Sequence, residues 1–297
     1  MKIAIAAATG NIGSRVASAV AAGGATPVLL GRDAAKLTAL GIDRAIISIT
    51  DVSDVHQVAA ATRECDALLW LVPPVSHVGS LADWYRRVTQ AGVAAVSRNG
   101  IKRVLLVSSL GAGAGENLGT ISFISDTERA FNALTTNVLT LRPGYFMENF
   151  LLQTQSLLEQ GAFHFTYDPD HDIPFISTDD IGDAAARYLL DPTWAGHWTL
   201  NLMGPENITL REVAVRLSNA LSHPIRYERL ALETVKDQLR QGGLTETVQQ
   251  ELLDLFVALG DPNGAYATPR TPEAHTPTRF EDFARTKLAP LLADAVW

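Results

Sequence analysis

The chain has 297 residues, 47% of them hydrophobic and 19% charged, with 22 Gly, 14 Pro and a single Cys. Such a composition carries enough apolar mass for a large core and excludes disorder, collagen-like repeats and disulfide-stapled scaffolds; the length suits one large α/β domain or a domain plus a lobe. Lys and Arg number 24 against 32 Asp and Glu, a formal net of −8, and without a Lys/Arg cluster there is no electrostatic footprint for duplex nucleic acid or an anionic membrane.

Cys65 stands alone, so neither an intramolecular disulfide nor a cysteine metal cluster forms, in keeping with a reducing cytosol and a cytoplasmic location. The apolar start at 3–8 is broken by Thr9, Gly10, Asn11 and Gly13 and followed at once by Arg15. The apolar stretch 67–75 is far short of a bilayer span, so neither a targeting nor a transmembrane segment is expected.

Apolar, β-branched runs occur at 2–8, 27–30, 45–49, 67–72, 104–107 and 138–141, nearly continuous rather than alternating in polarity. Strands covered on both faces by helices require that pattern. Helical stretches lie between them at 12–22, 33–40, 55–62, 81–99 and 127–134. Strand and helix alternating with short connections predict right-handed crossovers and a doubly wound parallel α/β sheet. After Arg142-Pro143-Gly144 the rhythm changes. A helix is expected at 149–160, strands near 163–165 and 173–176, a helix opening at Thr178-Asp179-Asp180, and a strand at 198–202. A helix at 210–221 capped by Thr209 follows, then a strand at 225–230, mostly helix over 235–259 with a break at Gly242-Gly243, and a last helix at 280–292. Residues 1–150 read as a nucleotide-binding domain and 151–297 as a smaller substrate-facing lobe that also adds to the main sheet.

The first turn, Ala8-Thr9-Gly10-Asn11-Ile12-Gly13-Ser14-Arg15-Val16, follows a strand and opens a helix, the context that makes a glycine pattern a phosphate-site hypothesis. Gly10 allows a tight turn and close approach of a pyrophosphate, the helix N-terminus offers free N–H donors, and Gly13 lets the helix pack on the strand. At the end of the second strand an NAD site would place a carboxylate for the ribose 2′-OH. Here Leu30-Gly31-Arg32 places a guanidinium that can grip a 2′-phosphate, with Lys36 one helical turn away, so the expected cofactor is NADP(H). The alternative for Arg32 is a pair with Asp33 or another surface carboxylate. Asp51, Val72 and Pro73 follow the third and fourth strands on the same sheet edge and are placed to line the cofactor; Asp51 is equally placed to cap the next helix, a role Ser53 could fill.

Ala8-Thr9-Gly10-Asn11-Ile12-Gly13, Gly31-Arg32, Val107-Ser108-Ser109, Leu141-Arg142-Pro143-Gly144-Tyr145-Phe146-Met147-Glu148-Asn149 and Ile176-Ser177-Thr178-Asp179-Asp180-Ile181 together resemble the NmrA-like group of atypical short-chain dehydrogenases/reductases over nearly the whole chain. The resemblance implies a Rossmann fold and NADP(H). It implies either a reductase, as in the quinone, triphenylmethane-dye, isoflavone and alkaloid-iminium reductases of the group, or a redox-sensing regulator that binds nucleotide without turnover.

The residues narrow the chemistry. No tyrosine has a lysine at the fourth position after it, so the proton-donating Tyr-x-x-x-Lys pair of standard short-chain dehydrogenases is absent. In Ile124-Ser125-Asp126-Thr127-Glu128, Glu128 matches a family pattern without the expected basic residue ahead of it. Hydride transfer to quinones, conjugated enones or iminium ions needs only a positioned nicotinamide, proximity and, save for the iminium, a proton. Ser108 is expected at the cofactor, and Ser109, Tyr145, Phe146 and Asn149 at the substrate, with Met147 in the same wall. No catalytic residue is assigned; Tyr145 and His77 are the candidates. The run 111–115, Gly-Ala-Gly-Ala-Gly, suggests a mobile flap. The acidic loop Asp168, Asp170, His171 and Asp172 reads as a solvated turn, so no metal is expected. The partner expected is a hydrophobic small molecule, not nucleic acid or a membrane, and a homodimer is allowed. A redox sensor acting through a protein partner is the competing function.

Overall fold

The computed structural model describes residues 1–292; the last five residues of the 151–297 lobe lie outside the described residues. The first half alternates as the apolar runs require: β1 (Lys2–Ile5), α1 (Asn11–Ala22), β2 (Thr26–Gly31), α2 (Ala34–Ala39), β3 (Ile46–Ile49), α3 (Val55–Ala61), β4 (Ala67–Trp70), α4 (Leu81–Asn99), β5 (Arg103–Val107), α5 (Thr120–Asn132) and β6 (Asn137–Pro143). A short β7 (Tyr145–Phe146) and a 3-10 turn (Met147–Gln153) lead into α6 (Thr154–Gln160) and then β8 (Ala162–Phe165), β9 (Asp172–Ile176), α7 (Thr178–Leu190) and β10 (His197–Leu202). The chain continues through β11 (Asn207–Thr209), α8 (Leu210–Leu221), β12 (Arg226–Arg229), α9 (Leu232–Gln241) and α10 (Glu246–Gly260).

The main sheet has seven strands in the order β10-β6-β5-β4-β1-β2-β3, all parallel. Strand order reverses between β1 and β4, and in such sheets the ligand crevice lies outside the strand carboxyl ends at that switch point. Two small sheets, β11-β9-β7 and β12-β8, lie outside the main sheet, and all their strands except β7 come after residue 150. The C-terminal lobe also gives the main sheet its edge strand β10 and the helix α7, which packs along α1.

Three apolar cores follow from this layering. Val16, Ala17 and Val20 of α1 meet Ile181, Ala185 and Leu189 of α7 over Ile3, Ile5 and Leu105 on one sheet face. Val58, Trp84, Val88, Ala91 and Phe131 cover Leu68, Trp70 and Leu106 on the other. The lobe is filled by an aromatic cluster of Phe150, Phe163, Phe165, Phe175 and Phe280. Polar ties hold the later segments to the helices that cover the sheet: Asp180 of α7 accepts from the Thr278 N–H at 2.9 Å and its hydroxyl at 2.6 Å. The Glu251 carboxylate on α10 accepts from Ser80 Oγ and the Leu81 N–H at 2.7 and 2.6 Å, at the N-terminus of α4.

Several elements depart from the sequence expectation. α5 starts at Thr120, seven residues ahead of the expected 127, because Ile121, Ile124, Glu128 and Phe131 already form one buried helical face. The 149–160 segment is not one helix but a 3-10 turn followed by α6. Neither Asp51 nor Ser53 caps α3: Asp54 does, accepting from the His56 and Gln57 N–H groups, while Asp51 accepts from the Ser53 N–H and hydroxyl. β3 is not covered on both faces; at the sheet edge beside the six-residue α2, Ile46, Ile47 and Ile49 remain 42, 40 and 55% exposed. The 111–115 run is a tethered turn rather than a free flap, with the Gly113 N–H donating to Ser125 Oγ at 2.9 Å and Gly111 against Ala265.

The first turn is a tight joint. A Cβ on Gly13 would lie 2.3 Å from the Ala7 carbonyl oxygen, so only glycine lets α1 approach β1 this closely. Gly10 has φ −81, an ordinary value; the left-handed residue of the turn is Ala7, at φ 49. Gly13→Ala is expected to cost about 2 kcal/mol through overpacking. Ala7→Gly is expected to gain about 1 kcal/mol by relieving the left-handed strain. Urea unfolding of both variants checks the opposite signs.

Candidate functional site

A cleft of about 700 Å³ runs along the carboxyl ends of the strands. Thr9, Gly10, Asn11, Ile12 and Gly13 line it from the first turn, Arg32 from the end of β2 and Asp51 from the end of β3. Val72 and Pro73 follow β4, Ser108 and Ser109 follow β5, and Phe146 and Asn149 follow β6 on the same cleft. These expected residues, scattered over 140 positions of sequence, are brought together because parallel strands deliver every βα connection to one edge.

Three others are not brought there. Lys36 is exposed on α2 and outside the cleft, its N–H donating to the Asp33 carboxylate that caps the helix at 3.1 Å. His77 is exposed on the loop before α4 and also outside it, which removes the geometric ground for a proton-donor role. Tyr145 turns away into the aromatic cluster, its ring centroid 5.3 Å from Phe165 and 5.5 Å from Phe175. Burial drives its phenol pKa well up, partly offset by a hydrogen bond with Asn149. Met147 is likewise in the lobe core, 1% exposed. Alternation along the short β7 and the turn after it explains the split: Phe146 and Asn149 face the cleft while Tyr145 and Met147 face the lobe.

The site has the donors that a dinucleotide needs. α2, α3, α4 and α7 are each capped by a side chain, but α1 has none and no acidic residue in its first turn, so its leading N–H groups stay free at the cleft. Arg32 forms no ion pair among the described residues, and Asp33, its nearest carboxylate in sequence, is occupied by the α2 cap. Thr178 also lines the cleft, and its hydroxyl is buried without a hydrogen-bond partner. An orphaned buried hydroxyl, an unpaired guanidinium and an uncapped helix on one cleft fit an elongated, anionic, polar-ended ligand.

Behind Ser108 lies a network that sequence reading missed. Glu128, 7% exposed at its side chain, receives two N–H donors from the Arg142 guanidinium, Nε at 2.9 Å, and a third hydrogen bond from the Ser108 hydroxyl. The basic partner that the 124–128 segment lacks is supplied by β6, fourteen residues on. Arg142 and Glu128 fix each other bidentately, and the Ser108 proton is committed to the carboxylate, so its oxygen faces the cleft as an acceptor. Glu148, also in the cleft wall, accepts from the Thr178 N–H and the Ser177 hydroxyl and thereby ties the β6 loop to the start of α7.

The remaining wall is mostly apolar and in part unforeseen. Leu71, Trp84, Ile124 and Leu152 join Val72, Pro73 and Phe146, and Leu152 stands 86% exposed at the rim. Trp84 donates its indole N–H to the Pro73 carbonyl at 2.9 Å, and Tyr85 beside it also faces the cleft. Burial pushes the Tyr85 phenol up to about 12, and its polar neighbour is Thr120. Helical spacing alone assigns Trp84 and Tyr85 to packing; only their place in the first turn of a helix that follows a strand's carboxyl end could have marked them.

The family model described as NAD(P)H-binding matches residues 7–192, and the chain belongs to that family, in agreement with the NmrA-like character carried by the motifs. The chain is 24% identical over 292 residues to the NAD(P)H azoreductase of Xenophilus azovorans, covering 97% of this chain and 98% of that one. It is 27% identical over 256 residues to quinone oxidoreductase 2 of Escherichia coli, covering 85 and 86%. The crystal structure of an NADPH-dependent quinone oxidoreductase from Escherichia coli complexed with NADPH matches the fold with a TM-score of 0.74 at 23% identity, over 95% of this chain and 98% of that one. No helix among the described residues is long and apolar enough to cross a membrane.

Arg142→Met is expected to destabilise the protein by about 3 kcal/mol, because it leaves the Glu128 carboxylate buried and unpaired. The double variant with Glu128→Gln should recover much of that loss, and the paired urea midpoints measure the coupling.

Proposed function

We propose that this chain is an NADPH-dependent oxidoreductase that reduces hydrophobic, conjugated small molecules: quinones, enones, iminium ions or aromatic azo compounds. The observation that carries the reading is the meeting, in one cleft, of a dinucleotide-shaped polar track with a broad apolar wall of Leu71, Val72, Trp84, Ile124, Phe146 and Leu152. Similarity to an azoreductase over 97% of the chain, and to a quinone oxidoreductase over 85%, supports the same class.

In this reading the α1 N-terminus and Thr9 to Gly13 hold the pyrophosphate, and Asp51 and Val52 flank the adenosine end. Arg32 holds the 2′-phosphate and sets the preference for NADP(H) over NAD(H). The Ser108 oxygen and the Thr178 hydroxyl orient the nicotinamide end. The reduced nicotinamide supplies the hydride; the protein supplies orientation and exclusion of water. The lobe from residue 151 onward, with Phe146, Ser109 and Asn149, covers the acceptor. With no Tyr-x-x-x-Lys pair, alcohol dehydrogenation is not part of the proposal.

Arg32→Ala should weaken NADPH binding about 10- to 100-fold, the worth of a charged hydrogen bond pair, and leave NADH nearly unchanged in calorimetric titration. Equal weakening of both would remove the 2′-phosphate assignment. Steady-state consumption of NADPH with a panel of quinones, enones, cyclic iminium ions and azo dyes is expected to show turnover of at least one class. Tight binding of NADP+ and NADPH without turnover of any acceptor would instead identify a redox sensor.

A further inference from the structure

Reduction of a neutral double bond needs a proton as well as two electrons, and the hydrogen bonds of the cleft leave few groups free to give one. Ser108 donates its hydroxyl hydrogen bond to the Glu128 carboxylate. Ser109 donates to the Leu110 carbonyl at 3.0 Å and Trp84 to that of Pro73. Glu148 accepts from the start of α7 and Asp51 from Ser53, so both carboxylates act as acceptors. Asn11 and Asn149 carry amides, and Thr9, Thr50, Thr120 and Thr178 carry aliphatic hydroxyls, all far weaker acids than a phenol. Tyr85 is what remains: half-buried, on the apolar wall, its ring held edge-on by Phe123 at 5.9 Å and its hydroxyl beside Thr120.

Resting on the reductase reading above, we propose that the Tyr85 hydroxyl protonates the acceptor, and that azo reduction depends on it while iminium reduction does not. With an azo compound, one nitrogen would gain an N–H bond from the hydride that the reduced cofactor supplies when bound, and the N=N π bond would break, leaving its electron pair on the other nitrogen. That nitrogen takes the Tyr85 proton; the phenol O–H bond breaks, and the phenolate recovers a proton from solvent past Thr120. The products are the hydrazine and oxidised cofactor. A phenol held near 12 is a modest acid, but the nitrogen anion is a far stronger base than phenolate, so transfer is downhill. A hydroquinone monoanion is only about as basic as an ordinary phenolate, so the proton would move to it uphill and quinone reduction depends less on Tyr85. An iminium ion becomes a neutral amine with no proton at all.

Tyr85→Phe keeps the ring and its contact with Phe123. It is expected to lower azo turnover by about 10²- to 10⁴-fold, the usual worth of a positioned general acid, with a smaller loss on quinones and less than about 3-fold change on a cyclic iminium ion. A second readout needs neither cofactor nor turnover: in protein labelled with ¹³C at the tyrosine ζ carbon, the resonance missing from Tyr85→Phe should shift when an azo dye is added. Equal loss on azo and iminium acceptors, no loss on azo, or an unmoved Tyr85 resonance overturns the proposal while the reductase reading stands. Absence of turnover by the wild-type protein with every acceptor overturns the reductase reading and this proposal with it.

Discussion

Helix α1 begins within van der Waals distance of the turn that ends β1, and Gly13 is the residue that makes room for it. Everything at the cleft inherits that contact. It aims the uncapped N–H groups of α1 across the strand ends and places Ala7 in a left-handed conformation. It also sets α1 at the height where α7 packs along it, with Gly182 against the Arg15 stem. α7 in turn carries Thr178 and receives Glu148, so these parts of the cleft are registered through one helix pair rather than through the loops that line it.

The fold was legible because its signals are local. Continuous apolar strands, helices of the right length and a strand-turn-helix glycine pattern specify a doubly wound sheet without knowledge of tertiary contacts. Where local signal is weak, reading fails by amounts that make physical sense. Asp54 rather than Asp51 or Ser53 caps α3, since three polar residues within four positions compete for one helix end. α5 gained two turns because its early residues are small or β-branched and only burial beneath α10 and the sheet favours helix there.

Site residues divide the same way. Most residues that follow a strand reach the cleft, because topology delivers them there. Tyr145 after β6 and His77 after β4 share that position in sequence, and neither reaches it: one is drawn into the phenylalanine-rich lobe core, the other left in solvent. The Arg142 to Glu128 pair could not be read, because it joins the carboxyl end of a strand to the third turn of a helix and only the packing of α5 on β6 fixes that match. Trp84 and Tyr85 carry both roles at once, packing on the sheet and facing the ligand space, and periodicity reports only the first.

The ties from the lobe back to the sheet bear on how the chain folds. As residues leave the ribosome, the first 150 can form six parallel strands, but the edge strand β10, the helix α7 and the Glu251 carboxylate that receives the first N–H of α4 come later. Until they arrive, the α1 face of the sheet lacks the part of its cover that α7 supplies, and the helix carrying Trp84 and Tyr85 lacks an acceptor 170 residues distant in sequence. Contacts of that separation form last, since chain entropy must be lost before they contribute. The first six strands can therefore take shape during synthesis, whereas the cleft wall built on α4 is completed only after the C-terminal helices dock.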